Sequence, residues 1–196
     1  MVVKTREKLI DVARQLFAYK GVENTTMNDI ATASETGRRT IYTYFKNKRE
    51  IYNAVIEQES ELLVSRLREV TLITGLSPTE KLFRFIDKRI DIIVENVEPR
   101  DKSSIRSFFI KGIRRMERIR ATAAAKEREI INEIMCEGFK TGEFDPNKSQ
   151  GAYQILAIIF QGIELSYIRD NFEDLHVTQA QLKDYIKRYI LSALIK

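Results

Sequence analysis

The sequence predicts an all-α protein, a small amino-terminal helix-turn-helix module followed by a larger helical body, with about nine helices in total. Three observations lead there. Only eight Gly and three Pro occur in 196 residues, too few turn formers for many short strands. Long stretches rich in Ile, Leu, Glu, Lys and Arg carry apolar residues three and four apart, the period of an amphipathic helix. A hydrophobic content of 43% beside 31% charged residues is that of a folded globule, and the length allows a substantial core.

The first helix is expected over residues 4–19, with Leu9, Ile10, Ala13, Leu16 and Phe17 on one face and Gly21 as its stop. Thr26-Met27-Asn28-Asp29 has the form of a capping box, so a short second helix opens there with Met27, Ile30 and Ala31 inward. Residues 34–37 are poor in helix formers and make a turn, after which a third helix sets Ile41 and Phe45 four residues apart. Asn47-Lys48-Arg49-Glu50 reads as another capped start, opening a helix through Ile51, Val55, Leu62, Leu63 and Leu67 to about residue 70. At 1.5 Å per residue it is a rod of roughly 35 Å.

Beyond Ser77-Pro78, Leu82, Phe83, Ile86, Ile90 and Val94 mark one helix, and Ile105, Phe108, Phe109 and Ile113 another. A charged helix over about residues 118–139 follows, then the turn signals Thr141-Gly142 and Asp145-Pro146-Asn147. Two final helices are expected near 150–169 and 178–194. The pattern sets a domain boundary at residue 46, with 1–46 as the helix-turn-helix domain and 47–196 as the body.

Residues 1–50 hold ten Lys/Arg against six Asp/Glu, while the rest hold 23 against 22, so the excess of positive charge sits at the amino end. Charge alone fits a solvated basic face as well as a nucleic-acid surface. The amino terminus mixes charge into every turn and no run of about 18 apolar residues occurs, which argues against a signal peptide or membrane span and for a cytoplasmic protein. Cys136 is the single cysteine and His176 the single histidine. That rules out an intrachain disulfide, offers no zinc-ligand set and leaves little catalytic equipment, so neither a metal, a cofactor nor an enzyme is expected. Cys136 reads as a partly buried packing residue.

The third helix carries the chemistry. Each residue turns about 100°, so with Ile41 and Phe45 inward, Arg39, Thr40 and Thr43 point outward, Tyr42 and Tyr44 flank them, and Arg38 stands at the amino end. Arginine can form paired hydrogen bonds to guanine, and threonine offers a hydroxyl and a methyl for thymine in the major groove. Thr25, Thr26, Tyr42, Tyr44 and Lys48 are candidates for the phosphates that position the reader.

With these residues in register, positions 6–55 resemble the TetR (tetracycline repressor) family, through Ala13-Arg14-Gln15-Leu16-Phe17 running to Gly21, then TTMNDIA and TIYTYFKNKREIY. The resemblance implies a homodimer with two readers on one face and a ligand-responsive body. It assigns base contacts to Arg38, Arg39, Thr40, Tyr42 and Thr43, and backbone contacts to Thr26, Tyr44 and Lys48. Two departures stand out. Glu35 occupies a turn position where the family usually carries Gly, and Gly37 caps the reading helix where Ser is frequent.

In the body, residues 152–160 are apolar nearly all round, which requires two buried faces. The last helix groups Leu182, Ile186, Tyr189, Ile190 and Ala193, so the closing pair can meet its twin in an isologous four-helix interface or simply pack in the core. A dimer sets two half-sites and a palindromic double-stranded operator. Phe83, Phe108, Phe109, Tyr153 and Phe160, with Gln161, are candidates for lining a site for an apolar or amphipathic small molecule, core packing and solvent exposure being the alternatives. Lys111, Arg114, Arg115, Arg118 and Arg120 form a second basic cluster that reads as a solvated face or an anion site. The function expected is a sequence-specific DNA-binding regulator, a repressor released from its operator by a small ligand. The alternative is a DNA-associated scaffold whose body binds a protein.

Overall fold

The computed structural model describes residues 2–97, 117–169 and 171–195. Among them are eight α-helices, two short 3-10 turns and no strand, in keeping with the all-α expectation. The helix expected at 105–113, with Phe108 and Phe109, lies outside the described residues, as do Lys111, Arg114 and Arg115. The chain forms two compact units, Met1–Glu61 with Pro99–Ala121, and Leu62–Glu98 with Thr122–Lys196.

In the first unit, α1 (Val2–Lys20), α2 (Met27–Ala33), α3 (Arg38–Tyr44) and the first part of α4 (Lys48–Arg68) enclose one core. Leu9, Ile10, Ala13 and Phe17 of α1 meet Met27, Ile30 and Ala31 of α2, then Ile41 and Phe45, then Ile51, Tyr52, Ala54 and Val55 of α4. This core therefore draws on residues beyond 46. Phe17 and Tyr52 meet edge to face at 5.9 Å between centroids, a favoured aromatic geometry.

The second unit is built around α5 (Pro78–Val97), which packs on α7 (Ala152–Ile168) and α8 (Gln179–Leu194), with α6 (Glu117–Thr141) completing the set. Its interior holds Leu82, Phe85, Ile86, Ile90 and Ile93 of α5 with Ile130, Ile134, Phe144, Leu156, Phe160, Ile186 and Ile190. Phe85 takes the inward place, because 82, 86, 90 and 93 define the buried face and 85 lies on it. Phe83, expected inward, is half-buried under the Lys187 ammonium, 5.8 Å from its ring centroid.

Charged pairs fix the register of these helices. Asp91 accepts hydrogen bonds from Gln179 (2.9 Å) and Lys183 (2.5 Å), and one turn earlier Asp87 pairs with Lys187 at 3.0 Å. The Arg89 guanidinium donates to Glu127 at 2.9 Å and lies 5.5 Å from the Phe160 centroid, tying α5, α6 and α7 together away from water. At the end of α6 the chain turns at Gly142 (φ 78°) and folds Phe144 back onto Gly138. Asp145 N–H then donates to the Leu194 carbonyl at 2.7 Å, fastening this loop to α8.

Candidate nucleic-acid interface

The local chemistry of residues 21–50 builds the site. Thr26 caps α2 as expected: its hydroxyl accepts from Asp29 N–H at 3.1 Å, and the Asp29 carboxylate accepts from Thr26 N–H at 2.7 Å. The Lys20 ammonium, 2.8 Å away, together with the bonds from Thr26, holds the Asp29 carboxyl at about 2, below its ordinary 3.8. Thr26 is exposed, and its hydroxyl lies at the surface beside the Asp29 carboxylate.

The turn after α2 is a Schellman motif. Thr36 N–H donates to the Ala31 carbonyl at 2.9 Å and Glu35 N–H to that of Thr32 at 3.0 Å. The buried Ser34 hydroxyl donates to Ala31 and meets Thr36 Oγ1 at 2.8 Å. Such a motif requires a left-handed residue before its last member, and here it is Glu35, at φ 54°. Glycine adopts this conformation without the Cβ clash, which accounts for the expectation of Gly at this position. Glu35→Gly is expected to stabilise the first unit by about 0.5–1 kcal/mol, a rise in Tm of roughly 1–4 °C. The exposed Lys8–Glu35 pair it removes, 3.5 Å apart, offsets little. An unchanged or lower melting temperature would contradict the assigned strain.

Gly37 N-caps α3 in an extended conformation, its carbonyl accepting from Thr40 N–H at 2.8 Å and Ile41 N–H at 3.3 Å. Ile41 and Phe45 are buried and anchor the helix, while Arg38, Arg39, Tyr42 and Thr43 are exposed along its outer side. Thr40 and Tyr44 are half-buried at the flanks. The outer side thus presents two guanidiniums, a phenol and a hydroxyl within two helical turns. Thr43 Oγ1 donates to the Arg39 carbonyl at 3.2 Å, leaving its lone pairs and methyl outward.

Two expected phosphate contacts are placed otherwise. Thr25 is fully buried, and its hydroxyl donates to the Gly21 carbonyl at 2.7 Å, so it closes the loop after α1 and cannot face DNA. Lys48 donates to the carbonyls of Val22 (2.7 Å) and Glu23 (3.2 Å), so its ammonium braces that loop. Beside it, Asn47 caps Glu50 N–H at 3.0 Å, while the Glu50 carboxylate accepts from Lys46 N–H at 2.7 Å, one residue earlier than a standard box would have it.

The candidate ligand residues are not brought together as one set. Phe160 is buried in packing 6.3 Å from Phe85, Gln161 is exposed, and the Tyr153 hydroxyl donates to the Ala124 carbonyl at 3.0 Å. Burial, with Glu127 adding to it, lifts the Tyr153 phenol above its ordinary value. Tyr153 lines an open cleft of about 730 Å³ beside α6, with Arg128, Asn132, Cys136, Phe139 and Pro146. Cys136 is exposed there, where the sequence suggested a partly buried packing residue. Arg118, from the second basic cluster, is exposed, and so is His176. Among the described residues no group of three or more His, Cys, Asp or Glu could hold a metal ion, and no helix is long and apolar enough to cross a membrane.

Three short helices with a tight turn and an exposed polar third helix define a helix-turn-helix module. Residues 9–55 match the family described as bacterial regulatory proteins, tetR family. It is 43% identical over 60 residues to a probable acrEF/envCD operon repressor of Escherichia coli (strain K12), a match covering 31% of this chain and 27% of that protein. The chain thus spans about a quarter of the length of that curated relative. It is 27% identical over 150 residues to the transcriptional repressor KstR2 of Mycolicibacterium smegmatis, covering 72% of this chain and 68% of the relative.

Solved structures share the fold along the whole chain. A TetR/AcrR regulator from Thermobifida fusca superposes with a TM-score of 0.68 at 23% identity, covering 95% of this chain and 96% of that one. A TetR-family regulator from Mesorhizobium loti gives 0.77 at 15% identity, covering 99% and 98%.

Proposed function

We propose that this chain is a cytoplasmic, sequence-specific DNA-binding transcriptional regulator that reads the major groove with α3. The observation that carries the reading is the sorting of α3, whose Ile41 and Phe45 are buried while Arg38, Arg39, Tyr42 and Thr43 stand outside. Arg38 and Arg39 supply the guanine contacts, Thr40, Tyr42 and Thr43 the remaining base edges, and Thr26 and Tyr44 the phosphates. The curated relatives described as repressors favour repression over activation.

The regulator works as a homodimer joined through α7 and α8, on a palindromic operator. Both helices carry large apolar side chains outside the core of their own chain, Ile155, Ile158 and Leu165 on α7 and Tyr185 and Tyr189 on α8. Residues 47–196 constitute the effector and dimerisation region, and a small apolar or amphipathic molecule bound there favours a dimer whose readers no longer match the half-site spacing. Release then follows from the difference in the ligand's affinity for the two states. Helix α4, which runs from one unit into the other, is the lever.

Selection of bound sites from random duplex DNA tests the reading. A palindrome should emerge, and Arg38→Ala or Arg39→Ala should weaken binding to it by about 30-fold to 10⁴-fold, the value of two bidentate base contacts, one per reader, with little effect on scrambled DNA. Failure to enrich any site sinks the proposal.

A further inference from the structure

The basic side chains of α1 are not equivalent. Lys8 faces Glu35 at 3.5 Å, Arg14 faces Glu59 at 3.4 Å and Lys20 binds Asp29 at 2.8 Å, so each has a carboxylate close by. Arg6 has an aromatic ring instead. Its guanidinium lies 5.3 Å from the centroid of Phe45, the residue whose N–H, bonded to the Ile41 carbonyl, ends the reading helix. Arg6 falls one turn before Leu9 and Ile10, where the buried face of α1 emerges into solvent, and it is exposed. The ring holds the cation through its quadrupole without neutralising it. A positive, donor-rich group is therefore parked at the carboxy-terminal end of α3, where a helix lying in the major groove runs out toward the sugar-phosphate edge.

We propose that Arg6 binds a backbone phosphate beside the groove that α3 enters, and so fixes how far along the groove the reading helix sits. This rests on the DNA-binding reading. As a phosphate contact it adds affinity and register but no sequence information.

The test measures the salt dependence of binding by the full chain to a duplex recovered by selection and to a scrambled duplex. Arg6→Met keeps an unbranched side chain on Phe45 and removes the charge. It should lower the slope of log K against log salt by about 0.9 per reading module and weaken both duplexes in the same proportion. Arg6→Lys should keep the wild-type slope. An Arg6→Met slope equal to wild type overturns the assignment, as does a loss confined to the selected duplex. Equal losses in both variants, accompanied by a lower melting temperature, would mean that the guanidinium only packs on Phe45, and would overturn it too. Wild-type protein that binds neither duplex would instead defeat the DNA-binding reading itself.

Discussion

Ile158→Glu is expected to give a folded monomer that binds its operator about 10²- to 10⁴-fold more weakly than the wild type, the range set by the loss of bivalent attachment. Ile158 is 68% exposed within its own chain, so no core contact depends on it. Ile155 one helical turn before it and Leu165 two turns after it continue an apolar strip, and Tyr189 on α8 is 77% exposed. On the same helix Leu156, Phe160 and Ile163 are buried. Helix α7 therefore has one apolar face inside the unit and another outside, and burying an isoleucine completely contributes about 1.5–3 kcal/mol. In an isologous interface each substitution appears twice, so two carboxylates enter the same apolar patch and repel. Sedimentation and far-UV circular dichroism separate the outcomes: a helical monomer is expected, and a variant that stays dimeric would place the interface elsewhere.

Gly138→Ala should destabilise the second unit by about 1–2 kcal/mol, although alanine is the better helix former by about 1 kcal/mol. A Cβ on Gly138 would lie 2.0 Å from the Phe144 ring, and Phe144 is fully buried with no room to retreat. Overpacking costs typically about 1–3 kcal/mol and more where the neighbour cannot move, so the clash outweighs the propensity. Phe144→Leu in the same chain should recover part of the loss. Thermal melting decides it, and a Gly138→Ala variant that melts above the wild type would show that the ring yields.

What could be read from the sequence is what is local along the chain. The partners of the Thr26–Asp29 box stand three positions apart, and the box is present as expected. The split of α3 into a buried and an exposed side follows from two apolar residues four apart. Thr25 could not be told from Thr26, because its partners are the Gly21 and Leu16 carbonyls and only the folded loop brings them near. The ammonium of Lys48 is committed to a carbonyl 26 residues away, which no spacing announces. Gly138 gave no signal, since its neighbour arrives by way of a turn. On α8, Ile186 and Ile190 go inward while Tyr189 and Ala193, grouped with them on apolarity, face out. A stripe that wide does not say where it divides.

The paired charges between α5 and α8 bear on how readily two chains could join. Asp87 and Asp91 hold Lys187 and Lys183 one turn apart, so α8 can neither slide along α5 nor roll about its axis without giving up both pairs. The outward tyrosines are thereby presented at a fixed height and azimuth before any partner arrives. Little backbone freedom remains to be lost on association, which favours a second copy arriving as a rigid body over one that must fold into place.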